Sequence, residues 1–294
     1  MMRENKLYLY FVRIISFVLA FILSLLIVWI VFLSMLRLNG MNSNTIKRVL
    51  SSSDYYNNLY QEIESNTKMY MISTGLPTEV LEGVFQSEEI QDEVVSYIEA
   101  TSIGEKYSPD TQKVRDRLMK KIDAYLNEKN IRVDSEISKN IDEYTTLVSD
   151  EYGRSLKVPI IEQIYKMNID YHMLFGLISG VSALLTLLLL SFFDRRYPWY
   201  RRLLYYLYNS TFAAAIMLAV IPLILLSKQL YFRIQIMPTS LYYFAVDYVK
   251  VNLQYLVLFS ILLAVISIIL LLIERVSGAK LIKIVSCLKR QRAK

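Results

Sequence analysis

One cysteine and one histidine in 294 residues leave little from which to build a redox centre or a metal site. They are Cys287, in the carboxy-terminal tail, and His172, at the edge of an apolar run, where a lone histidine reads as an interfacial residue. Neither a zinc cluster nor a Cys–His pair can be drawn from them. No Walker-type loop and no Gly-x-Gly-x-x-Gly run is present. Strand-like alternation is also missing. None of the long apolar runs carries a charge at its centre, where an isolated ion costs ~3 kcal/mol and usually marks a transport pathway. The sequence therefore points to no catalytic, cofactor or metal residues and argues against ion transport. Between 37 and 170 there is no cysteine, so no disulfide can brace that stretch and its stability has to come from a packed core. The one Asn-x-Ser/Thr sequon, Asn209-Ser210-Thr211, lies inside an apolar run where no glycan could be added.

What the chain has in quantity is apolar length, in four blocks. Each is long enough to cross a hydrocarbon core of ~30 Å, which takes roughly 20 helical residues. The first block has no small-x-small cleavage site after it and reads as a retained anchor. The expected organisation is an all-α membrane protein with four transmembrane helices and a helical extracellular bundle between spans one and two. Its parts are a cytoplasmic amino terminus (1–11), span one (12–36), the extracellular domain (37–170), span two (171–193), a cytoplasmic link (194–202), span three (203–227), an extracellular interfacial loop (228–250), span four (251–273) and a basic cytoplasmic tail (274–294).

Orientation follows from the basic residues. Arg3 and Lys6 mark the amino terminus. Arg195, Arg196, Arg201 and Arg202 crowd the short link, and Lys283, Lys289 and Arg290 lie in the tail. By contrast, residues 38–170 hold 15 basic and 23 acidic residues, and the loop near 228–250 holds only Lys228, Arg233 and Lys250 as bases. The positive-inside rule puts both termini and the link in the cytoplasm and the large domain outside. The net charge of +6 is thus spread over membrane-flanking pieces. It predicts contact with anionic lipid headgroups, about 1 kcal/mol per residue near the surface, and no nucleic-acid binding.

Within 37–170 the pattern is helical. Asn39, Gly40 and the following Asn/Ser cluster predict a flexible joint. From Thr45, Ile46, Val49, Leu50, Tyr56, Leu59, Tyr60 and Ile63 share a face. Thr78 is placed to cap a short helix from Glu79 to Val84, and Ser87 to cap another carrying Ile90, Val94, Tyr97 and Ile98, closed by Gly104. Ser108-Pro109-Asp110 reads as a helix start. Val114, Leu118, Ile122 and Leu126 form the stripe of that helix, and Asn130 closes it. Asp134 or Ser135 opens the next, with Ile137, Ile141, Tyr144, Val148 and Tyr152 facing inward and Gly153 as the stop. The sum is about five helices.

From Pro159 the helical pattern runs into span two without a breaker; a single helix to Phe193 would be roughly 50 Å long. Span one would then join the domain through a flexible link and span two through a stiff one, a layout suited to relaying the state of the domain. The loop 228–250 is rich in aromatic residues suited to the headgroup interface, with Thr239 or Ser240 capping an interfacial helix before span four. Leu281, Ile284, Val285 and Leu288 share one face of the tail, as in an amphipathic helix on the inner leaflet.

Three constellations remain. The acids Glu79, Glu82, Glu88, Glu89, Asp92, Glu93 and Glu99 form a stretch without ligand spacing for calcium, and read as a solvated face. The basic set Lys113, Arg115, Arg117, Lys120 and Lys121 reads as pairing with those acids or as solvated, with contact to anionic envelope polymers as the other reading. Gly176 and Gly180 form a Gly-x-x-x-Gly face that lets helices approach closely, either inside the bundle or between copies; the oligomeric state stays open.

The stretch Ser73-Thr74-Gly75-Leu76-Pro77-Thr78-Glu79-Val80-Leu81-Glu82-Gly83-Val84-Phe85, with this layout of spans, resembles segments of uncharacterised four-span membrane proteins of Gram-positive bacteria. The topology also resembles FtsX-like permeases, which partner cytoplasmic ATPases. Those have a longer amino-terminal helix and a larger link between spans two and three; here Asp194 to Arg202 leaves little surface for an ATPase. The expectation is a non-enzymatic plasma-membrane protein of the cell envelope whose outer domain binds a protein partner or wall component. A permease-type subunit of a transport complex is the alternative.

Overall fold

A computed structural model describes the backbone of residues 2–71, 76–196 and 200–292, and the side chains of 14–71, 76–166, 176–188, 191 and 204–276. It is all-helical, with no strand among the described residues. The described residues form, in order, the α-helices α1 (Met2–Met35), α2 (Ser43–Ser52), α3 (Tyr55–Met71), α4 (Ser87–Ser102), α5 (Gln112–Glu128), α6 (Ser135–Ser155), α7 (Pro159–Arg196), α8 (Tyr200–Ser227) and α9 (Thr239–Arg292). They form two compact units. One, apolar, comprises Met1–Gly40, Tyr171–Leu230 and Lys250–Lys294; the other, polar, comprises Met41–Asp170 and Tyr231–Val249.

Among the described residues three helical stretches are long and apolar enough to cross a membrane: Ile14–Gly40, Leu204–Ser227 and Thr239–Val276. The described apolar part of α7 is the shorter Gly176–Leu188. The rest of the expected span 171–193, apart from Ser191, lies outside the described side chains. The protein is thus a multi-pass membrane protein by length and composition. α1 and α8 meet where Ala20 and Leu23 are buried against Tyr206, and where Ala214, Ala215 and Leu218 receive Ile27, Val28 and Val31. Small residues on α8 let the backbones come close. Hydrogen bonds then cross between helices. The Ser210 hydroxyl donates to the Ala20 carbonyl at 2.9 Å, and Ser267 on α9 donates to the Tyr208 carbonyl at 2.9 Å. Asn209 and Thr211 instead bond carbonyls of their own helix. α8 runs through Pro222 to Ser227.

The joint after α1 differs from the expected flexible link. Leu36–Gly40 winds as a π-turn with Asn39 and Gly40 buried, and the Asn39 side-chain amide donates to Asn252 at 3.2 Å. A buried amide has to find a partner, and this one orders the segment. The chain re-enters helix at Ser43, with Asn42 as the cap accepting from the Asn44 amide at 2.9 Å.

The polar unit holds α2 to α6, the first turns of α7 and the segment 231–249. The stripes fold inward as their spacing requires: Ile46, Leu50, Ile63, Ile90, Val94, Ile98, Leu118, Ile122 and Val148 are all fully buried. Burying one such side chain contributes about 1.5–3 kcal/mol. Asn130, at φ +53°, ends α5 with the Ile131 amide returning to the Leu126 carbonyl, and Asp134 caps α6 through the Ile137 amide at 2.8 Å. Gly104, at φ +79°, ends α4, with the Glu105 amide returning to the Ala100 carbonyl.

Several boundaries differ from expectation. The first expected helix is two, α2 and α3, because the Ser52 and Ser53 hydroxyls turn back on the Val49 and Leu50 carbonyls. Thr78 does not cap a helix to Val84; Thr78–Leu81 is one 3-10 turn preceded by Pro77. Ser87 is the first residue of α4 rather than its cap, which is Gln86 without a side-chain bond, while Glu88 and Glu89 complement the positive helix end. Pro109 does not start a helix. The segment before α5 stays irregular and lays Tyr107 against α4, and α5 begins at Gln112. Gly153 is not a stop: α6 continues to Ser155, and a Cβ at Gly153 would come within 2.8 Å of the Thr111 methyl. That glycine is there for close approach.

The largest difference is the segment 231–249. Expected as a separate loop, it groups with the polar unit, and its helix is continuous with the long apolar stretch that follows. Phe244 is buried and meets Tyr55 edge-on at 6.3 Å. α9 starts at Thr239 and continues unbroken to Arg292, so the expected tail helix is its last turns. Its first turn is capped from α3: the Glu62 carboxylate accepts from the Ser240 amide at 2.8 Å and from the Ser240 hydroxyl at 2.7 Å. An anion there satisfies free amides and complements the helix dipole.

Candidate functional site

The stripe that makes α4 amphipathic turns Tyr97 inward. Pro159 opens α7, whose first turn brings up Glu162. The Tyr97 hydroxyl donates to Glu162 Oε1 at 2.8 Å, with the Val158 carbonyl at 3.4 Å. The Tyr107 hydroxyl donates to Glu93, and its ring meets Tyr97 edge-on at 6.2 Å. Tyr165, one turn along α7, is almost fully buried. These rings line a cleft of about 470 Å³ at the carboxy-terminal end of α4, together with Lys106, Lys157 and Lys166 and the carboxylates Glu105 and Glu162. The volume is that of a small-ligand pocket.

Burial, then the Glu162 carboxylate, raises the Tyr97 phenol well above the ordinary tyrosine value. Burial and then Glu93 do the same to Tyr107. Burial pushes Tyr165 up to about 12, with the Ser43 hydroxyl acting in the opposite sense. All three phenols therefore stay protonated at neutral pH, unsuited to act as bases; Tyr97 and Tyr107 donate to carboxylates, while the buried Tyr165 hydroxyl meets no hydrogen-bond partner among the described residues. The arrangement can bind and orient charge. Among the described residues no group of three or more His, Cys, Asp or Glu side chains is placed to hold a metal ion.

The acidic stretch and the basic set meet in the bundle. Arg117 on α5 grips Glu89 on α4 with both terminal nitrogens, the Nη1–Oε1 contact at 3.0 Å. Lys121 donates to the Glu82 carbonyl at 2.7 Å, Arg115 pairs with Asp142 at 2.5 Å, and Lys47 pairs with Glu99 at 2.9 Å. Pairing within the bundle is thus what these members do. Gly176 and Gly180 are exposed, and a Cβ on either would meet nothing within 4 Å. Among the described residues they make no close helix contact. The membrane-surface candidates Arg195, Arg196, Arg201, Arg202, Lys283, Lys289 and Arg290, like His172 and Cys287, lie outside the described side chains, and Ser73, Thr74 and Gly75 of the resemblance stretch lie outside the described residues.

The sequence did not disclose the cleft. Tyr97 reads as one more stripe residue, Glu162 as an acid in a first turn, and nothing local joins two positions 65 residues apart. The pairing of Glu62 with Ser240 was equally hidden across 178 residues. Comparison with protein-family models, curated proteins and solved structures finds no match.

Proposed function

We propose that this is a non-enzymatic, multi-pass protein of the bacterial cell envelope, akin to the four-span Gram-positive proteins it resembles. Its polar unit is an extracellular binding domain whose state is relayed into the membrane. Both termini and the link 194–202 lie in the cytoplasm, and residues 37–170 lie outside. The partner is a protein or wall component of the envelope; the basic flanks hold anionic headgroups. The observation that carries the relay is α7, a single 38-residue helix that begins in the polar unit and continues through Gly176–Leu188. No glycine or proline interrupts it between Pro159 and Gly176. α9 adds a second such rod, from the Glu62-capped turn to Arg292. Unbroken helices transmit displacement; the π-turn after α1 is ordered too, so the relay does not depend on a loose first joint.

Two experiments test this. With Cys287 replaced, Ser102→Cys is expected to react with an impermeant thiol reagent in intact cells and Ser277→Cys only after lysis. The reverse pattern would overturn both orientation and binding role. For the relay, a Gly-Gly pair is inserted after Asn168. That position is chosen because Ile161 and Tyr165 are themselves core. Spin-label distances between positions 102 and 191 are expected to be narrow in the parent protein and broad in the insertion variant. Equal breadth in both would reduce the polar unit to a tethered domain without a relay.

A further inference from the structure

The cations of the polar unit are mostly engaged. Lys47, Lys68, Lys113, Arg115, Arg117, Lys129, Lys139 and Arg154 each have a carboxylate within 4.0 Å, and Lys121 holds a carbonyl. Residues 38–170 carry 23 acids against 15 bases, so partners are in excess. Seven others have no ion-pair partner among the described residues: Arg48, Lys120, Arg132 and Arg233, which do not line the cleft, and Lys106, Lys157 and Lys166, which all line the tyrosine-walled cleft of α4 and α7. One solvated surface lysine means nothing. Three converging on one concavity, with acids in excess, hold positive charge open at one place.

The chemistry of the cleft narrows what it takes. Its cations are ammonium point charges with no guanidinium among them, which suits a tetrahedral phosphate better than a planar carboxylate needing a two-pronged grip. Three lysines against Glu105 and Glu162 leave one net positive charge, matching a phosphodiester monoanion rather than a phosphomonoester dianion. Glu162 is occupied by the Tyr97 hydroxyl, whereas Glu105 is exposed and free to accept from a hydroxyl. Tyrosine rings supply apolar wall for carbon-bound hydrogens.

We propose that this cleft binds a phosphodiester-linked polyol, with Lys106, Lys157 and Lys166 holding the phosphate and Glu105 accepting a polyol hydroxyl. The assignment rests on reading the polar unit as an extracellular binding domain.

The test uses the full chain in phosphatidylcholine nanodiscs. Poly(glycerol phosphate) is titrated at two salt concentrations, with inorganic phosphate and uncharged dextran as further probes. Saturable, salt-weakened binding of the polymer is expected, without response to dextran. The triple variant Lys106→Gln, Lys157→Gln, Lys166→Gln is expected to weaken it at least about tenfold. A charge-matched triple at Lys113, Lys120 and Lys139 should leave it within about twofold. Equal loss in both triples means diffuse charge attraction and overturns the site, as does stronger binding of inorganic phosphate than of polymer. Discs containing phosphatidylglycerol separate the sources. If that lipid displaces the polymer, and the cleft triple abolishes the displacement, the phosphodiester is a headgroup. If it does not, a soluble or wall-bound polymer is the source. Labelling at Ser102 separates the two failures: an outward Ser102 with no polymer binding sinks the cleft and leaves the binding domain standing.

Discussion

In the polar unit Ile46, Leu118 and Val148 are wholly buried, whereas in the apolar unit Leu177, Ile221 and Ile268 are more than half exposed. The same residue types are core in one place and surface in the other. Water outside the polar unit makes burial of leucine favourable; hydrocarbon around the apolar unit removes that gain, because lipid is as apolar as leucine. What joins helices in the apolar unit is therefore small and polar: Ala214 and Ala215 at the approach of α8, Ser210 reaching α1, Ser267 reaching α8. The polar unit keeps its polar groups for another use. Two of its long-range polar contacts start a helix and set up the cleft, Glu62 at Ser240 and Tyr97 at Glu162.

The sharpest way to break that contrast is to cut the same side chain in each unit. Leu118→Ala is expected to destabilise the polar unit by roughly 2–5 kcal/mol, through lost transfer energy and a residual cavity. Leu184→Ala, on an exposed face of α7, is expected to change stability by less than about 0.5 kcal/mol. Amide hydrogen exchange on the full chain in nanodiscs reads both. Comparable losses would mean that the apolar unit also depends on leucine packing.

A smaller effect is expected where helix capping takes over from apolar burial. Glu62→Ala removes the acceptor of two bonds to Ser240 and should cost about 1–3 kcal/mol, seen as faster exchange in the first turn of α9 and in α3. Glu62→Gln keeps an acceptor but loses the charge, and should recover part of that. If exchange at Ser240 is unchanged in Glu62→Ala, the cap does not fix the start of α9.

The smallest effect belongs to the apolar unit. Ser267→Ala deletes one interhelical bond and should cost about 0.6 kcal/mol, since the unfolded chain in a membrane also finds partners. Single-molecule or denaturant unfolding in bicelles reads it. A loss of several kcal/mol would show that the serine contacts act as a network.

Much of the secondary structure was legible because it is locally determined. Asp134 opens α6 and Asn130 closes α5 by chemistry within a few residues, and the stripes through Ile90 and Leu118 state which face turns inward. Boundaries went wrong where a distant group outbid a local signal. Ser108-Pro109-Asp110 looks like a start, but Tyr107 holds that stretch against Tyr97 and Glu93. Gly153 looks like a stop, but the Thr111 methyl needs the space a side chain would fill. The aromatic segment 231–249 read as a separate loop but groups with the polar unit, since apolar aromatic residues suit a headgroup region and a domain core equally well.

By itself the sequence determined the helical class, the long apolar stretches and the asymmetry of charge along the chain, because periodicity, hydropathy and net charge are sums over neighbouring residues. Only the tertiary structure decided that Phe244 completes the core at Tyr55, that Glu62 starts α9, and that three unpaired lysines share one tyrosine-walled cleft. Tyr55 and Phe244 are 189 positions apart, and Glu62 and Ser240 are 178 apart. Which distant groups meet is settled by how the stripes of several helices pack together, and no window along the chain contains that information.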